Sequence, residues 1–419
     1  MNKIWVEGGK PLSGEVCVGG SKNASLPILF AGILTGERCE FSNLPRVSDV
    51  LRVLEILKYM GARIKFLENG NVCVDYSEIR ACVPPAHLCA GIRGSAYLMG
   101  AMLGRFGEAF LPTSGGCDFG VRPIDQHLLG FGRLGALAEE GAQGVHLQAG
   151  RGLRGACIRL AMPSVGATAN LMMAASLARG ETVIENAAAE PHVAALADFL
   201  RAAGARIRGL GTDRIVVCGV DALHGVCHRI ISDMIEAGTY LCFGAACGGR
   251  VSVSSVRPGE LGALLAAFTD MGIDVFCGAD SITVSAPNGY RCTDVVTAPY
   301  PGFPTDLHPQ LVALMAVGGR AAGRGSVRET VFSSRFRDVR ELCRIGADVR
   351  ISDATATVMG GEVRAARVVA PDLRGGAALL LAALTAKGKS EILGAAAIGR
   401  GYEHLEQKLR ALGADVTVF

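Results

Sequence analysis

The sequence contains no apolar run long enough to cross a bilayer. Its most apolar stretch, AALLLAALTA at 377–386, is far shorter than the roughly 18 residues that a spanning helix needs. The first residues, MNKIWVEGGKPLSG, reach glycine and proline too soon to form the apolar core of a signal peptide. We therefore expect a cytoplasmic protein that does not insert into a membrane.

Paired-cysteine and nucleotide-binding motifs are also absent. The 14 cysteines include no CxxC pair, which argues against a zinc ribbon or a disulfide framework and favours reduced thiols in the cytosol. The segment AKGKS at 386–390 is not a Walker A loop, because Ala383 stands where the first glycine is required. No GxGxxG motif follows a strand pattern, so dinucleotide binding has little support.

Neither sign of charge is in excess, and aromatic residues are few. The 42 basic and 39 acidic residues leave a formal net charge of +3, which gives no argument for nucleic acid or an anionic membrane as partner. Half of the residues are hydrophobic, 56 are glycine and only 5% are aromatic, as expected for small-residue helices packed on sheets. A chain of 419 residues is too long for one core, so two domains are predicted.

The sequence does contain a repeat. An apolar helical stretch, a Gly-Ala pair or close variant, and a strand pattern recur, as in YMGARIKF and ALGADVTVF. Successive gaps of 74, 69, 68, 74 and 67 residues indicate six copies of one unit. Glycine after a helix is a natural stop, because a left-handed backbone is readily available to it. We call these six residues the marker glycines: Gly61, Gly135, Gly204, Gly272, Gly346 and Gly413.

Six units divide naturally into two domains of three. We predict one domain over residues 22–229 and a second, discontinuous domain over 1–21 and 230–419. The N-terminal segment KIWVEGG is expected to supply the strand that the sixth copy lacks. Each unit is expected to run from a strand through an alanine-rich helix, a second strand and a second helix to the marker glycine.

Polar residues collect at two fixed distances before the marker glycines, about forty and about thirteen residues upstream. Both positions are predicted turns that enter helices, where free N–H groups favour anions. Aspartate and serine there are commonly N-caps, but the positive helix end disfavours arginine and lysine, so basic residues indicate a partner rich in phosphate or carboxylate. The residues at these turns include Lys22, Arg93, Ser164, Asp233, Asp306 and Asp372, and then Ser48, Arg122, Glu190, Arg257, Arg335 and Arg400.

Three of these regions carry candidate chemistry. Cys117 in SGGCDFGVRP lies in a glycine-rich, arginine-flanked loop, where a thiol can act as a nucleophile or a proton donor; burial in a core is the default for the other cysteines. Asp306 in APYPGFPTDLHPQ is either a proton acceptor for a substrate hydroxyl or an N-cap. Asp372 and Arg374 in PDLRGG are predicted to form an ion pair that orients the arginine.

The blocks GGSKNASLPIL, SGGCDFGVRPIDQH, PGFPTD, ETVFSSRF, DLRGGAALL and RGYEHLEQKLRALGA, in this order, resemble the UDP-N-acetylglucosamine 1-carboxyvinyltransferases, a family of enolpyruvyl transferases. The resemblance implies an inside-out α/β barrel with two lobes, each of three βαβαββ-like repeats, closing on substrate. It implies phosphoenolpyruvate as donor, the 3′-hydroxyl of UDP-N-acetylglucosamine as acceptor, and the first committed step of peptidoglycan synthesis. It also implies no metal or organic cofactor, while the oligomeric state stays open.

The same resemblance implies a role for each matching residue. Cys117 would be the acid that fosfomycin alkylates, and Asp306 would contact the acceptor hydroxyl as base. Lys22, Arg122 and Arg400 would bind phosphoenolpyruvate, with Arg93 nearby, and Arg374, supported by Asp372, would lie near the reacting carboxylate. The acceptor would be bound by Asn23, Ser164, Val165, Gly166, Val331 and Phe332.

Four positions depart from the family pattern, and each loses a charged side chain: Ser48, Met162, Met234 and Gly399. Weaker nucleotide affinity or weaker lobe closure is expected from these changes. Two alternatives stay open: the sister transferase that acts on shikimate 3-phosphate, which lacks the cysteine loop, and a non-catalytic paralogue that senses UDP-sugar.

Overall fold

The computed structural model describes residues 2–112, 124–332 and 335–419. The chain has a mixed α/β fold and divides into two compact units, Gly20–Ile231 and a discontinuous unit of Met1–Gly19 with Ser232–Phe419. These limits differ by two residues from the predicted boundaries at 22 and 229. The cysteine loop predicted at 114–123 lies outside the described residues.

The helices are mostly short, between 5 and 13 residues. Those in the described residues are α1 (Lys22–Ala31), α2 (Ser48–Tyr59), α3 (Ala86–Ala90), α4 (Leu98–Phe106), α5 (Asp125–Arg133), α6 (Val165–Ser176), α7 (Pro191–Ala202), α8 (Met234–Ala246), α9 (Gly262–Met271), α10 (His308–Ala316), α11 (Val339–Ile345), α12 (Leu373–Thr385) and α13 (Leu405–Ala411).

The strands are also short, and they alternate with the helices along the chain. They are β1 (Lys3–Gly8), β2 (Gly14–Cys17), β3 (Arg38–Ser42), β4 (Arg63–Phe66), β5 (Val72–Asp75), β6 (Glu108–Pro112), β7 (Leu137–Gly141), β8 (Gly144–Gln148), β9 (Cys157–Arg159), β10 (Glu181–Glu185), β11 (Arg206–Arg208), β12 (Arg214–Cys218), β13 (Cys227–Arg229), β14 (Arg250–Ser254), β15 (Asp274–Cys277), β16 (Ser281–Ser285), β17 (Asp294–Val296), β18 (Arg324–Arg328), β19 (Asp348–Ser352), β20 (Thr355–Met359), β21 (Arg367–Val369), β22 (Gly388–Leu393) and β23 (Asp415–Val418).

Five four-stranded sheets share one pattern of pairing. In each, a short edge strand runs parallel to its neighbour, and the next two pairings are antiparallel, as in β9-β10-β12-β11. The other four sheets have the orders β13-β3-β5-β4, β2-β14-β16-β15, β17-β18-β20-β19 and β21-β22-β1-β23. A sixth sheet, β6-β8-β7, contains three strands within the described residues. Each unit therefore contains three sheets.

Every marker glycine lies between a helix and the strand that follows it. Their φ angles lie between +82° and +111°, the left-handed region that favours glycine. At Gly135 and Gly272 an added Cβ would meet no atom within 4 Å, so backbone conformation rather than space requires glycine there. At Gly61 both reasons apply, because a Cβ would lie 2.7 Å from the carbonyl oxygen of Glu78.

The alanine-rich helices form the interior of each unit. In α1, α6, α8 and α12 nearly every residue is buried, as expected for helices that are apolar on all sides. Small residues let these helices approach closely: a Cβ at Gly100 on α4 would lie 2.3 Å from the carbonyl oxygen of Asn170 on α6. Helices such as α2 and α7 bury one side only.

The N-terminal strand completes a sheet at the other end of the chain. β1 pairs antiparallel with both β22 and β23, with Val6 opposite Ser390 and Val416. The predicted role of KIWVEGG is therefore confirmed. Across the described ranges, no helix combines the length and apolarity needed to span a membrane.

Candidate active site

In the unit Gly20–Ile231, the start of α1 presents a lysine beside a buried carboxylate. Ser21 is the N-cap, and its hydroxyl accepts from the N–H of Ala24. Lys22 is the first helical residue, and its Nζ lies 2.7 Å from Oδ2 of Asp49 in the first turn of α2. The inference that Lys22 requires an external anion is thus corrected, because a carboxylate of its own unit compensates its charge.

Two further predicted residues lie at helix starts in this unit. Asn23 follows Lys22 in the first turn of α1, and Arg93 begins a 3₁₀ helix that leads into α4. Both side chains are half-buried. Cys117 and Arg122 lie outside the described residues.

The N-terminus of α6 carries the predicted phosphate-binding segment. Ser164 is the N-cap, and its hydroxyl accepts from the N–H of Ala167. Val165 and Gly166 form the first turn, and a Cβ at Gly166 would lie 3.0 Å from Cε1 of His127. Burial lowers the pKa of His127 to about 4, so this ring is neutral at pH 7. Positive potential at the site therefore comes from the helix end.

A cavity of about 300 Å³ lies in the same unit, at the lower end of the size range for small-molecule sites. Gln126 belongs to it and also accepts from the N–H of Met162, a predicted departure whose side chain is about half exposed. Its lining residues are Asp125, Gln126, Leu129, Arg159, Leu160, Ala161 and Asn186.

In the discontinuous unit, Asp306 is held by two arginines. Arg335 Nη2 lies 2.7 Å from Oδ1, and Arg374 Nη2 lies 2.9 Å from Oδ2. Burial alone would raise the pKa of Asp306, but Arg374 and Arg335 outweigh it and hold the pKa well below its ordinary value. Asp306 is therefore a carboxylate at neutral pH, and Arg335 has the negative partner that its position in a turn requires.

Arg374 is buried and oriented by a polar network. Its side chain is 4% exposed, and Nη1 donates to the hydroxyl of Tyr402 at 3.3 Å. That hydroxyl also lies 2.9 Å from Oγ1 of Thr239 and accepts from Nε2 of Gln310 at 3.2 Å. Tyr402 therefore fixes the guanidinium that binds Asp306.

The ion pair predicted between Asp372 and Arg374 is wrong. Asp372 is the N-cap of α12, and its Oδ1 accepts from the N–H groups of Arg374 and Gly375, each at 2.9 Å. The guanidinium of Arg374 binds Asp306 instead. An N-cap carboxylate faces the free N–H groups of its own helix, so Asp372 supports the backbone of Arg374 rather than its side chain.

Val331 and Phe332 follow β18 in a turn organised by a glutamate. Oε1 of Glu329 accepts from the N–H of Val331 at 2.8 Å and from that of Phe332 at 2.9 Å. The guanidinium of Arg335 lies 5.6 Å from the centre of the Phe332 ring. Predicted acceptor-binding residues and the arginine on Asp306 thus belong to one cluster.

Arg400 ends a 3₁₀ helix, Ala395–Arg400, that also contains Gly399. Its side chain is half-buried. The two remaining departures lie at helix starts: Ser48 begins α2, and Met234 begins α8 after the N-cap Asp233.

Sequence reasoning missed Asp49, Glu329 and Tyr402. Tyr402 lies in RGYEHLEQ and Glu329 in ETVFSSRF, two blocks that carry the family resemblance, but neither has a partner near it in sequence. Asp49 is an acidic residue in the first turn of a helix, which is common for reasons of the helix dipole alone. Among the described residues, no group of three or more His, Cys, Asp and Glu side chains is placed to hold a metal ion.

A family model described as EPSP synthase (3-phosphoshikimate 1-carboxyvinyltransferase) matches residues 6–409. The chain belongs to this family. Within it, the chain is 43% identical over 418 residues to the UDP-N-acetylglucosamine 1-carboxyvinyltransferase of Clostridium botulinum, and the match covers 99% of both chains. A relative from Halothermothrix orenii with the same name is 43% identical over 416 residues, again with 99% of both chains covered.

Solved structures of EPSP synthase family fold match the whole chain. The enolpyruvyl transferase NikO from Streptomyces tendae has a TM-score of 0.88 at 27% identity, covering 99% of this chain and 98% of its own. EPSP synthase from Acinetobacter baumannii has a TM-score of 0.74 at 19% identity, with both chains fully covered. The second likeness concerns the fold alone. The mixed α/β fold is therefore that of the enolpyruvyl transferases.

Proposed function

We propose that this protein transfers the enolpyruvyl group of phosphoenolpyruvate to the 3′-hydroxyl of UDP-N-acetylglucosamine and releases phosphate. The observation that carries the proposal is the 43% identity over 99% of both chains to relatives named for this reaction. The first committed step of peptidoglycan synthesis, in the cytoplasm and without a metal or organic cofactor, belongs to the same proposal through the family resemblance.

The architecture follows the same resemblance. Each unit acts as one lobe of an inside-out α/β barrel built from three repeats, and three sheets in each unit support this reading. Residues of both lobes act on the same two substrates. Lys22, Arg122 and Arg400 bind phosphoenolpyruvate with Arg93 nearby.

UDP-N-acetylglucosamine is bound at helix and strand ends. The N-terminal turn of α6, with Ser164, Val165 and Gly166, binds the diphosphate through N–H groups and the helix dipole. Asn23 positions the sugar, and the backbone around Val331 and Phe332 contacts it. Because Met162 and Ser48 bring no charge, the diphosphate depends more heavily on backbone donors here than on lysine.

The chemistry requires an acid and a base. Cys117 protonates the methylene carbon of phosphoenolpyruvate, which makes the adjacent carbon cationic, and the 3′-oxygen of the acceptor bonds to that carbon. Asp306 takes the proton that the hydroxyl loses. The tetrahedral intermediate then loses phosphate from one carbon and a proton from the methyl carbon, which restores the double bond in the product.

The two arginines on Asp306 give this base a switch. With both in place, the low pKa of Asp306 makes it a weak proton acceptor. Phosphoenolpyruvate is an anion that competes for Arg374 and Arg335. Movement of either guanidinium toward the substrate raises the pKa of Asp306, because burial then acts with less opposition. Asp306 becomes a stronger base only when the donor is bound.

The test is a phosphate-release assay with the purified full-length chain. We expect release that requires both phosphoenolpyruvate and UDP-N-acetylglucosamine, and we expect Asp306→Asn to abolish release while UDP-N-acetylglucosamine still binds. Release with shikimate 3-phosphate as acceptor would assign the sister reaction. Binding of UDP-N-acetylglucosamine without release would make the protein a sensor. Either result would overturn the proposal.

A further inference from the structure

Glu329 is a buried carboxylate that joins three separate segments of the discontinuous unit. It is 3% exposed. Oε1 accepts from Thr297 Oγ1 at 3.0 Å and from the N–H groups of Val331 and Phe332 at 2.8 and 2.9 Å. Oε2 accepts from Thr305 Oγ1 at 2.7 Å. Four donors from β17's end, the turn before α10 and the turn after β18 thus converge on one side chain.

This carboxylate is ionised despite its burial. Burial would raise its pKa, but His308, the N–H of Phe332 and Thr305 outweigh that effect and lower the pKa to about 2. His308 Nδ1 lies 3.2 Å from Oε2, and burial lowers the pKa of His308, so its ring is neutral at pH 7. A buried anion without a cationic partner is expensive unless its hydrogen bonds are satisfied, which the four donors achieve.

Thr305 carries the influence of Glu329 to Asp306. The Thr305 hydroxyl has one proton, which it donates to Glu329. Its lone pairs therefore remain for Arg335, whose Nη1 donates to Thr305 Oγ1 at 3.0 Å. The same guanidinium binds Asp306 through Nη2 at 2.7 Å. A continuous path of three hydrogen bonds thus runs from Glu329 through Thr305 and Arg335 to Asp306.

We propose that Glu329 is a positioning residue for the acceptor sugar, acting through Thr305 on Arg335 and Asp306 and through the backbone of Val331 and Phe332. This inference rests on the proposed function, because it assigns those residues to the acceptor. Glu329 itself touches no substrate. It holds the turn that carries Asp306 and the turn after β18 in one fixed relation, so that both contact the sugar together.

The negative charge of Glu329 sets the direction of the hydrogen bond with Thr305. A glutamine keeps the size of the side chain and keeps one oxygen for the N–H groups of Val331 and Phe332. Its amide nitrogen then faces Thr305 and donates to it, which turns the Thr305 proton away from position 329 and toward Arg335. Glu329→Gln therefore disturbs the path to Asp306 while the turn after β18 keeps its donors satisfied.

The experiment compares four variants of the full-length chain: Glu329→Gln, Thr305→Val, Thr305→Ser and, as control, Thr269→Val. Thr269 is exposed on α9, and its hydroxyl bonds to the backbone of its own helix. Steady-state kinetics give kcat and the KM for each substrate. Calorimetry gives the Kd for UDP-N-acetylglucosamine, and thermal unfolding gives Tm.

We expect Thr305→Val and Glu329→Gln to raise KM and Kd for UDP-N-acetylglucosamine on the order of tenfold, the size expected for one charge-assisted hydrogen bond. The KM for phosphoenolpyruvate should change by less than about threefold. Thr305→Ser restores the hydroxyl and should restore both constants to within about twofold of wild type, and Thr269→Val should change neither.

A merely structural role would lower kcat with the fraction of folded enzyme and leave KM and Kd unchanged, and that result would overturn the inference. Failure of Thr305→Ser to restore affinity would do the same. If the wild-type chain binds UDP-N-acetylglucosamine but releases no phosphate, the proposed reaction falls while the Kd comparison still decides the role of Glu329. If the wild-type chain does not bind that nucleotide sugar, both proposals fall.

Discussion

Arg374 and Asp306 form a buried ion pair, with Nη2 2.9 Å from Oδ2 and the arginine side chain only 4% exposed. The pair controls the charge of the proposed base. Burial by itself would favour protonated Asp306, and the cations reverse that preference. The protonation of Asp306 is therefore a property of the cluster, which makes it accessible to substitution of a residue other than Asp306.

Arg374→Met should move the acidic limb of the pH–rate profile to higher pH. Activity that needs ionised Asp306 is present above its pKa and lost as pH falls through it. Removal of Arg374 removes the larger of the two charge effects that lower this pKa, so the loss begins at higher pH. The measurement is kcat against pH from 4 to 9. Arg344→Met is the matched control, because Arg344 pairs with Glu341 on the exposed side of α11; an unchanged limb in Arg374→Met would contradict the assignment.

Asp338→Asn should stabilise the protein more at pH 8 than at pH 5. Asp338 is 3% exposed, and no described group makes a hydrogen bond to its Oδ2. Burial and the neighbouring Asp372 raise its pKa from 3.8 to about 7. Between these two values the unfolded chain is ionised and the folded chain is protonated, so stability falls as pH rises through this window and stays lower above it.

Tm at the two pH values measures this effect, since asparagine carries no charge at either. Asp270→Asn, at an exposed position of α9, is the control and should show no such pH dependence. Equal shifts of Tm at pH 5 and pH 8 in Asp338→Asn would show that its carboxyl is not perturbed.

Lys408→Met should lower the free energy of unfolding by about 3–5 kcal/mol, the usual cost of leaving a buried charge without its partner. Lys408 Nζ lies 2.6 Å from Oε1 of Glu236, which is 3% exposed and also accepts from the N–H of Gly19 at 2.8 Å. Adding Glu236→Gln should recover most of the loss, because the buried charge is then gone and an oxygen remains for Gly19.

Urea unfolding of the single and double variants measures this coupling. Lys10→Met breaks an exposed pair with Asp415 at 3.1 Å and should cost less than about 1 kcal/mol. A double variant as unstable as Lys408→Met would show that the charge of Glu236 is not the cause.

Cys117→Asp should retain phosphate release and resist fosfomycin. A carboxylic acid can donate a proton to the methylene carbon, but it is not alkylated as a thiolate is. Residual activity after incubation with fosfomycin measures the resistance. Cys277→Asp, at an exposed cysteine on β15, should stay as sensitive as wild type. Inactivation of Cys117→Asp at the wild-type rate would remove Cys117 from the proposed role.

Local signals in the sequence located helix ends and turns well, because they depend on one residue and its neighbours. The marker glycines all have positive φ, and Ser164, Asp233 and Asp372 are N-caps. Pairings across the fold were not predictable. The partner of Lys22 is 27 residues away in sequence, and that of Arg374 is 68 away. Periodicity and capping rules carry no information about such distances, so Asp49 and Glu329 became visible only in the folded unit.

The position of β1 between β22 and β23 has a consequence for biosynthesis. Residues 3–8 leave the ribosome long before residues 388–418, so their hydrogen-bond partners do not yet exist. The contiguous unit Gly20–Ile231 can fold as soon as its own residues have emerged. The nascent chain must therefore keep Ile4 and Val6, both fully buried at the end, from misassociating until its last strands appear.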